Sequence, residues 1–331
     1  MLNNTLRILK HKGVTGLLVA LYFLLKANIY RRLLGRQHLK KRIYDYWMYL
    51  DTLDQGIGRT LILFGAREED HRIILKRVLK AGMTVLDIGA NIGYYAMMER
   101  GLVGETGRII AVEPASGNIA TLKRNVALNG YRNIDFFHMA ISDTNGTSEL
   151  LISPFSNLHS FHARTDADRQ TGEIEEVETR TVPSMMAEFG QIDLIRMDVE
   201  GHEVEVFNGM LEAVESGEMA PMVVFETHRR QYTPEHDLEA PLRRLFACGY
   251  KVRYMASSAE DGTKRIEALG YRGGPPIPTD FMVRKLFENI DDDHAVDLIC
   301  HTGGVRTVLL AKDTNHAGAA DESAALKSVA G

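Results

Sequence analysis

The sequence predicts an α/β chain of the Rossmann-like kind, a mostly parallel sheet with helices on both faces. Three observations predict it. Short apolar runs at 85–88, 108–112, 134–140, 192–197 and 222–225 alternate with longer helix-compatible stretches. The first run leads through a small-residue turn, Gly89-Ala90-Asn91-Ile92-Gly93, into a helical segment that starts at Tyr94. The second run ends on an acidic residue, Glu113. In a doubly wound sheet, ligands sit outside the carboxyl ends of the strands. The turn brings bare backbone to that edge, and a carboxylate at the end of the next strand can accept hydrogen bonds from both hydroxyls of a ribose. The stretch from Thr84 to Pro114 therefore reads as a nucleoside-binding half-site.

What the turn lacks narrows the ligand. A dinucleotide site needs G-x-G-x-x-G, whose second glycine admits a pyrophosphate to the helix N-terminus. Asn91 takes that glycine's place, leaving Gly89 and Gly93 in a G-x-x-x-G spacing, and no P-loop lysine follows. Asp87, two residues before Gly89, suits a ligand with a cationic end. S-adenosylmethionine has such an end, with an ammonium and a sulfonium.

These residues resemble a family. DIGANIGYY, then AVEP with the helix carrying Asn118, Leu122 and Asn125, and then IDLIRMDVEGHEVEVFNGM are similar to successive blocks of the FkbM-type S-adenosylmethionine-dependent methyltransferases, over about residues 80–230. Two departures stand out. Arg196 occupies a place where the family usually has Lys, which keeps the charge, and 179–184 lacks the acidic residue of the T-x-x-L-D segment. The resemblance implies a class I methyltransferase fold with a seven-stranded sheet. It also implies S-adenosylmethionine as cofactor, adenine beside Ala140, and sugar or polyketide hydroxyls as acceptors.

Candidate catalytic groups follow from the later strands. The run at 192–197 ends in Asp198-Val199-Glu200-Gly201-His202-Glu203, and the run at 222–225 ends in Glu226-Thr227-His228. If the two strands are neighbours, Glu200, His202, Glu226 and His228 meet outside the carboxyl edge. Carboxylate and imidazole are the groups that take a proton from a hydroxyl near neutral pH. Asp198 joins Asp87, Gly89, Asn91, Gly93, Glu113 and Ala140 as a cofactor contact. Helix capping by Asp198 and Glu200, and a surface place for His228, are the structural alternatives.

Composition sets the frame. The chain has 331 residues, 45% hydrophobic, enough for one large domain with extensions. Its two cysteines, Cys248 and Cys300, have neither a disulfide framework nor a metal-ligand spacing, so a reducing compartment and no metal are expected. The net charge of −5 combines +10 in the first 44 residues, which contain no acid, with −15 in the remainder. That basic arm contains nine unbroken apolar residues, 17–25. As a helix this run spans about 14 Å, short of the roughly twenty residues that cross a bilayer. Two readings stay open: attachment to an anionic membrane surface at the cytoplasmic face, or packing of Leu17, Leu21, Leu24 and Leu25 onto protein. A nucleic-acid partner is not expected.

Residues 1–43 thus form an amphipathic arm, 44–79 a helical lead-in, 80–312 the main domain and 313–331 a disordered tail. Tyr44, Tyr46, Trp47 and Tyr49 are candidates for the core or for a cleft wall, and 68–80 shows the apolar spacing of one helix face. A helix is expected at 116–129, and a hairpin with a polar loop, 153–169, rises above the strand ends as a candidate lid. His159 and His162 in that loop, without further ligands nearby, are weak evidence for metal. A helix at 235–247 and a strand at 251–254 follow, then a Gly/Pro-rich loop, 261–278. The stretch 281–283 reads as the antiparallel last strand, with one more strand at 307–311. The expected reaction is methyl transfer from S-adenosylmethionine to an oxygen of a small-molecule, glycan or lipid-linked acceptor. N-methylation, a Mg²⁺-assisted variant using Asp198 with Glu200 or Glu226, and a non-catalytic scaffold are the alternatives.

Overall fold

A computed structural model describes residues 2–162 and 171–312. In chain order its elements begin with α1 (Leu2–Arg32), the hairpin β1 (His38–Ile43) and β2 (Tyr46–Asp51), α2 (Ile57–Phe64) and α3 (Glu69–Val78). Then come β3 (Thr84–Ile88), α4 (Tyr94–Val103), β4 (Arg108–Val112), α5 (Ser116–Asn129), β5 (Ile134–Phe137), β6 (Ala140–Ile141), β7 (Gly146–Leu151) and β8 (Ile174–Arg180). Next are α6 (Val182–Phe189), β9 (Leu194–Met197), α7 (Glu203–Glu215), β10 (Met222–Glu226), α8 (Glu239–Ala247), β11 (Tyr250–Ser257) and α9 (Glu260–Ala268). The described chain closes with β12 (Ile277–Thr279), β13 (Met282–Arg284), β14 (Leu286–Ile290), α10 (Asp292–Val296) and β15 (Val305–Lys312).

The main sheet has eight strands in the order β14-β11-β15-β10-β9-β3-β4-β5. From β5 to β10 all neighbours are parallel, while β15 runs antiparallel to both β10 and β11. Strand order reverses at β3, flanked by β4 and β9, and a ligand crevice opens outside such a switch point. Both faces are covered. Val85, Ile109, Leu194 and Val224 pack under α2–α5, whereas Leu86, Ile110, Ile195 and Val223 pack under α6–α8 and α10. This is the period-two alternation of strands buried on two sides.

The sheet carries one strand more than the seven expected, because β14 adds to β11 at the edge. The expected last strand, 281–283, lies elsewhere: β13 pairs only with β12 in a separate ribbon. Pro278 in β12 lacks an N–H, which suits a ribbon strand better than a sheet interior. The expected loop 261–278 begins as helix α9, since its prolines and most of its glycines fall after residue 269. Gly262 stands inside that helix because a Cβ there would meet the Gly304 carbonyl oxygen at 2.2 Å. The lead-in from residue 44 opens as a strand rather than a helix. Tyr46 is buried with its hydroxyl on the Tyr94 carbonyl, and the β2 edge is held by Asn125 and Asn129 of α5, which accept from Tyr49 N and Trp47 N at 2.7 Å. Those aromatics build core and edge rather than the cleft. The expected tail, 313–331, lies outside the described residues.

The arm is a helix with a break at Gly13 (φ 66°). Its Lys12–Arg32 segment, 21 residues containing an 18-residue stretch with a mean hydropathy of 1.5, is long and apolar enough to cross a membrane by length and composition, more than the run at 17–25 suggests. Ala20 and Ala27 are buried and Leu17 and Phe23 partly so, against the core around α2. Leu21, Leu24 and Leu25, expected as packing residues, are exposed together with Leu18.

Asp70 of α3 and Arg284 of β13 are both buried and meet at 2.6 Å, tying the lead-in to the C-terminal ribbon. Removing one partner strands a buried charge, so Arg284→Ala is expected to lower unfolding stability by about 3–5 kcal/mol in denaturant titration.

Candidate active site

A cleft with about 780 Å³ of unfilled space, part of it open to solvent, lies outside the carboxyl ends of β3, β4 and β9. Its geometry begins at the turn after β3. Gly89 has φ +75°, and a Cβ there would stand 2.2 Å from the Asp198 carbonyl oxygen, so only glycine fits. Asn91 follows at φ 52°, a left-handed conformation that asparagine tolerates. Its backbone N–H donates to Glu113 Oε2 at 2.8 Å, and its side-chain amide donates to the Ser156 carbonyl at 2.7 Å.

Glu113 is buried at the end of β4. Its Oε1 also accepts from Ala115 N at 3.0 Å and Asn118 Nδ2 at 3.2 Å. Three of the roughly four acceptor positions of this carboxylate are thus filled by protein. The one that remains is on Oε2, which narrows the expected two-hydroxyl contact to one. Burial pushes the Glu113 carboxyl up to about 7, against the pull of the Ala115 and Asn91 amides.

Asp87 does not face the cleft. It is fully buried beneath the turn, where Arg196 Nη1 contacts its Oδ1 at 3.2 Å. The same guanidinium donates to the Gly89 carbonyl at 3.1 Å and to Asp198 Oδ2 at 3.3 Å, and it lies 4.1 Å over the Tyr95 ring. Gly93 starts α4 and faces Leu122 of α5, away from the cleft. Gly89, Asn91, Glu113, Ala140 and Asp198 do line it, as do Glu200 and His202.

The wall opposite the turn is the candidate lid, described as far as residue 162. Ser156 anchors it: its carbonyl accepts from Asn91 and Asn118, and its hydroxyl donates to Asp54 Oδ2 at 2.8 Å. Ile141, Leu150 and Phe161 form an apolar slot beside the carboxylates. A planar base fits the slot, and hydroxyl and ammonium groups fit the carboxylates, so the residues present suit a sulfonium nucleoside.

Behind the cleft lies the acid cluster anticipated at the ends of β9 and β10. His228 Nδ1 contacts Glu203 Oε1 at 2.7 Å, and its Nε2 faces Glu226 at 3.3 Å and both Asp198 and Glu200 at 3.7 Å. Burial alone would make this imidazole less basic. The Glu203, Glu200 and Glu226 carboxylates outweigh it and hold His228 protonated, well above the ordinary histidine range. It is a fixed cation here, not a proton acceptor. Glu226 is buried beside Arg306 and is pushed up to about 7 by burial, Arg306 opposing. Neither Glu226 nor His228 reaches the cleft lining.

His202 is the N-cap residue of α7 rather than either acidic candidate. Its Nε2 lies 3.1 Å from Ser142 Oγ, and burial lowers its pKa to about 4. Arg196, Asn118, Ser156 and Asp54 were not singled out as site residues from sequence. Asn118 and Arg196 were visible only as motif positions, and Ser156 and Asp54 carry no local signal. Among the described residues, two groups have donor atoms within 4.8 Å of one another: Asp198–Glu226–His228 and His162–His202–Glu205.

Fold and cleft together define a class I methyltransferase, the central β5-to-β10 parallel block with antiparallel β15 framing a nucleoside cleft at the switch point. The profile of the methyltransferase FkbM domain matches residues 87–252, half of the chain, and the protein belongs to that family. Its cofactor is S-adenosylmethionine. Among solved structures, it is similar to methyltransferase FkbM from Methylobacillus flagellatus KT at 14% identity, covering 70% of this chain and 52% of that one, with a TM-score of 0.33. TYW2 from M. jannaschii, in complex with AdoMet, aligns at 12% identity over 84% and 87% of the two chains with a TM-score of 0.38. Precorrin-6y C5,15-methyltransferase from Geobacter metallireducens GS-15 gives 13% over 74% and 89%, with a TM-score of 0.38. No curated protein matches the chain. Likenesses this distant carry no information on the acceptor.

Proposed function

We propose that the protein transfers the methyl group to a hydroxyl oxygen of a sugar, a glycan or a lipid-linked acceptor. The observation that carries this reading is the pairing of cleft-lining Asp198 and Glu200 with a fixed His228 cation 3.7 Å behind both. When bound, S-adenosylmethionine supplies an electrophilic methyl group, so the chain's own task is to hold the acceptor in line and to remove a proton. Glu200 takes the proton from the acceptor hydroxyl. It sits at φ 52° on the turn between β9 and α7, which aims it over the strand ends. His228, locked on Glu203, holds Asp198 and Glu200 in position at the strand ends. The Mg²⁺-assisted variant is weaker here, because an imidazolium already stands among Asp198, Glu200 and Glu226. On this reading Glu200→Gln lowers kcat by about 10²–10⁴-fold and leaves cofactor affinity unchanged. A screen of hydroxylated and amine acceptors with labelled cofactor provides the assay; methylation of amines alone, or full activity in Glu200→Gln, overturns the assignment.

Glu113 takes one ribose hydroxyl on Oε2, Ala140 lies against the base, and Asp198 takes the methionine ammonium. Because the Glu113 carboxyl is raised to about 7, a proton competes for the remaining acceptor position below that pH. Affinity for S-adenosylhomocysteine is therefore expected to rise as pH passes upward through about 7. Glu113→Ala should flatten that rise and lose about 1.5–3 kcal/mol of binding, the worth of a hydrogen bond to a charged group. Isothermal titration across pH 5.5–8.5 checks both.

The arm docks the enzyme on an anionic membrane surface. Support comes from the exposed apolar face at Leu18, Leu21 and Leu25 together with the basic residues Lys26, Arg31 and Arg32 on the same helix. Full-length protein is expected to sediment with phosphatidylglycerol vesicles, and the double variant Leu18→Glu, Leu25→Glu to remain in the supernatant. Equal pelleting of both would refute the docking.

A further inference from the structure

Away from the acid cluster around His228, a second group of ligand-type side chains closes one end of the cleft. Three elements bring it together: the lid hairpin gives His162, the start of α7 gives His202 and Glu205, and the segment before α8 gives His236. Glu205 is the centre. His202 Nδ1 lies 3.3 Å from its Oε2 and His162 Nε2 lies 3.6 Å from its Oε1, while His236 Nε2 meets both oxygens at 3.0 and 3.2 Å.

We propose that His162 Nε2, His202 Nδ1 and the Glu205 carboxylate form a site for a divalent transition metal, Zn²⁺ being the best match, which fastens the lid to α7. The spacing is right. A tetrahedral ion with bonds of about 2.0–2.1 Å sets its donors about 3.3 Å apart; His202 Nδ1 lies 3.3 Å from Glu205 Oε2 and His162 Nε2 lies 3.6 Å from Oε1, and one donor atom from each of the three residues falls within 4.8 Å of the others, so small side-chain adjustments close the site on an ion. Two imidazoles and one carboxylate are a common zinc donor set that leaves a fourth position for water.

The hydrogen bonds point the same way. His202 Nδ1 and His162 Nε2 are buried atoms without a hydrogen-bond partner, and His202 is 5% exposed. The other nitrogen of His202 faces Ser142 Oγ at 3.1 Å, and that hydroxyl in turn reaches Asp143 Oδ1 at 3.3 Å. Such a partner fixes a ligand ring with its free nitrogen toward the ion. His236 donates Nδ1–H to the Gln231 carbonyl at 2.8 Å and turns Nε2 to both Glu205 oxygens; with a proton on each nitrogen it also donates to the carboxylate and holds it in place. His236 is a positioning residue, not a fourth ligand. The Phe161 ring stacks on His202 with centroids 4.6 Å apart and lines the cleft. Metal bound to His162 and His202 therefore fixes the Phe161 side of the cleft. The site depends on no assumption about the acceptor.

The test uses full-length protein treated with a chelator and then titrated with Zn²⁺ against a chromophoric competitor. About one equivalent is expected to bind at submicromolar concentration, because ligands already gathered by the fold give tight sites. Glu205→Gln and His162→Ala are each expected to weaken it by more than the roughly 10–100-fold typical of losing an outer-shell partner, and Glu226→Gln to leave it intact. Co²⁺ in place of Zn²⁺ should show tetrahedral d–d bands in wild type that vanish in His162→Ala. A folded His162→Ala protein, confirmed by circular dichroism, keeps the result readable if Glu205→Gln does not fold. Absence of binding at micromolar Zn²⁺, unchanged affinity in both variants, or loss in Glu226→Gln instead would overturn the site.

Discussion

Arg196 is the interaction on which the cleft depends. It is the penultimate residue of β9, is almost fully buried, and reaches across to β3 to hold Asp87, the Gly89 carbonyl and Asp198 at once. The two strands on either side of the topological switch are thereby fixed where the glycine turn must pass within contact of the Asp198 backbone. Burial opposes its charge, but Asp87 and Asp198 keep it protonated. One guanidinium faces Asp87, Asp198 and the more distant Glu99, and the balance is met by protonation rather than by a second cation: burial and the neighbouring Asp87 charge drive the Glu99 carboxyl well above its usual range. A lysine in place of Arg196 would carry the charge but not the planar fork that serves three acceptors.

The same economy shapes the cofactor half. Glu113 is not a bare carboxylate waiting for a ribose. It organises the turn through Asn91 N, the start of α5 through Ala115 N, and the lid through Asn118, whose amide is shared with the Ser156 carbonyl. Asn91 donates to that same carbonyl, so the hairpin segment at Ser156 is anchored on two asparagines that also hydrogen-bond Glu113. The position of that segment and of the Glu113 carboxylate are therefore linked through a handful of hydrogen bonds, and Asp54, from the segment before α2, completes the anchor from outside the sheet.

The central strands and the helix at 116–129 were legible in the sequence because each has a strong local period: short apolar runs for strands, and an apolar face closed by Gly130 for α5. The strand-ending acids were legible for the same reason, since a carboxylate after an apolar run must emerge at the sheet edge. Roles were less so. Asp87 reads as a ligand contact from its place before the turn, yet its side chain alternates to the inside, where Arg196, more than a hundred residues later, meets it. His228 reads as a base until four carboxylates from two strand ends and a helix surround it. The hairpin β1–β2 and strand β12 had no periodic signal long enough to separate them from helix or loop; β13 was legible as a strand but not its partner, and β14 was hidden behind the prolines that precede it. His162 and His236 carry no motif, and His202, visible in the DVEGHE block, gives no local sign of them; only the fold brings three separate segments to one glutamate.

That last gathering bears on how the enzyme divides its histidines. His228 lies among Asp198, Glu200, Glu203 and Glu226, whose charges outweigh its burial and favour the protonated ring. His202, on the turn between β9 and α7, is instead buried against Phe161 and held by Ser142, and its pKa falls to about 4, so it stays neutral with one nitrogen bare. Two imidazoles that look equivalent in the DVEGHE and ETH segments are thus driven to opposite charge states by what surrounds them: excess carboxylate in one case, apolar burial in the other. A cation held among carboxylates behind the cleft and a neutral imidazole beside Phe161 are opposite outcomes of one sheet edge, which is wide enough to hold both without either one titrating near neutral pH.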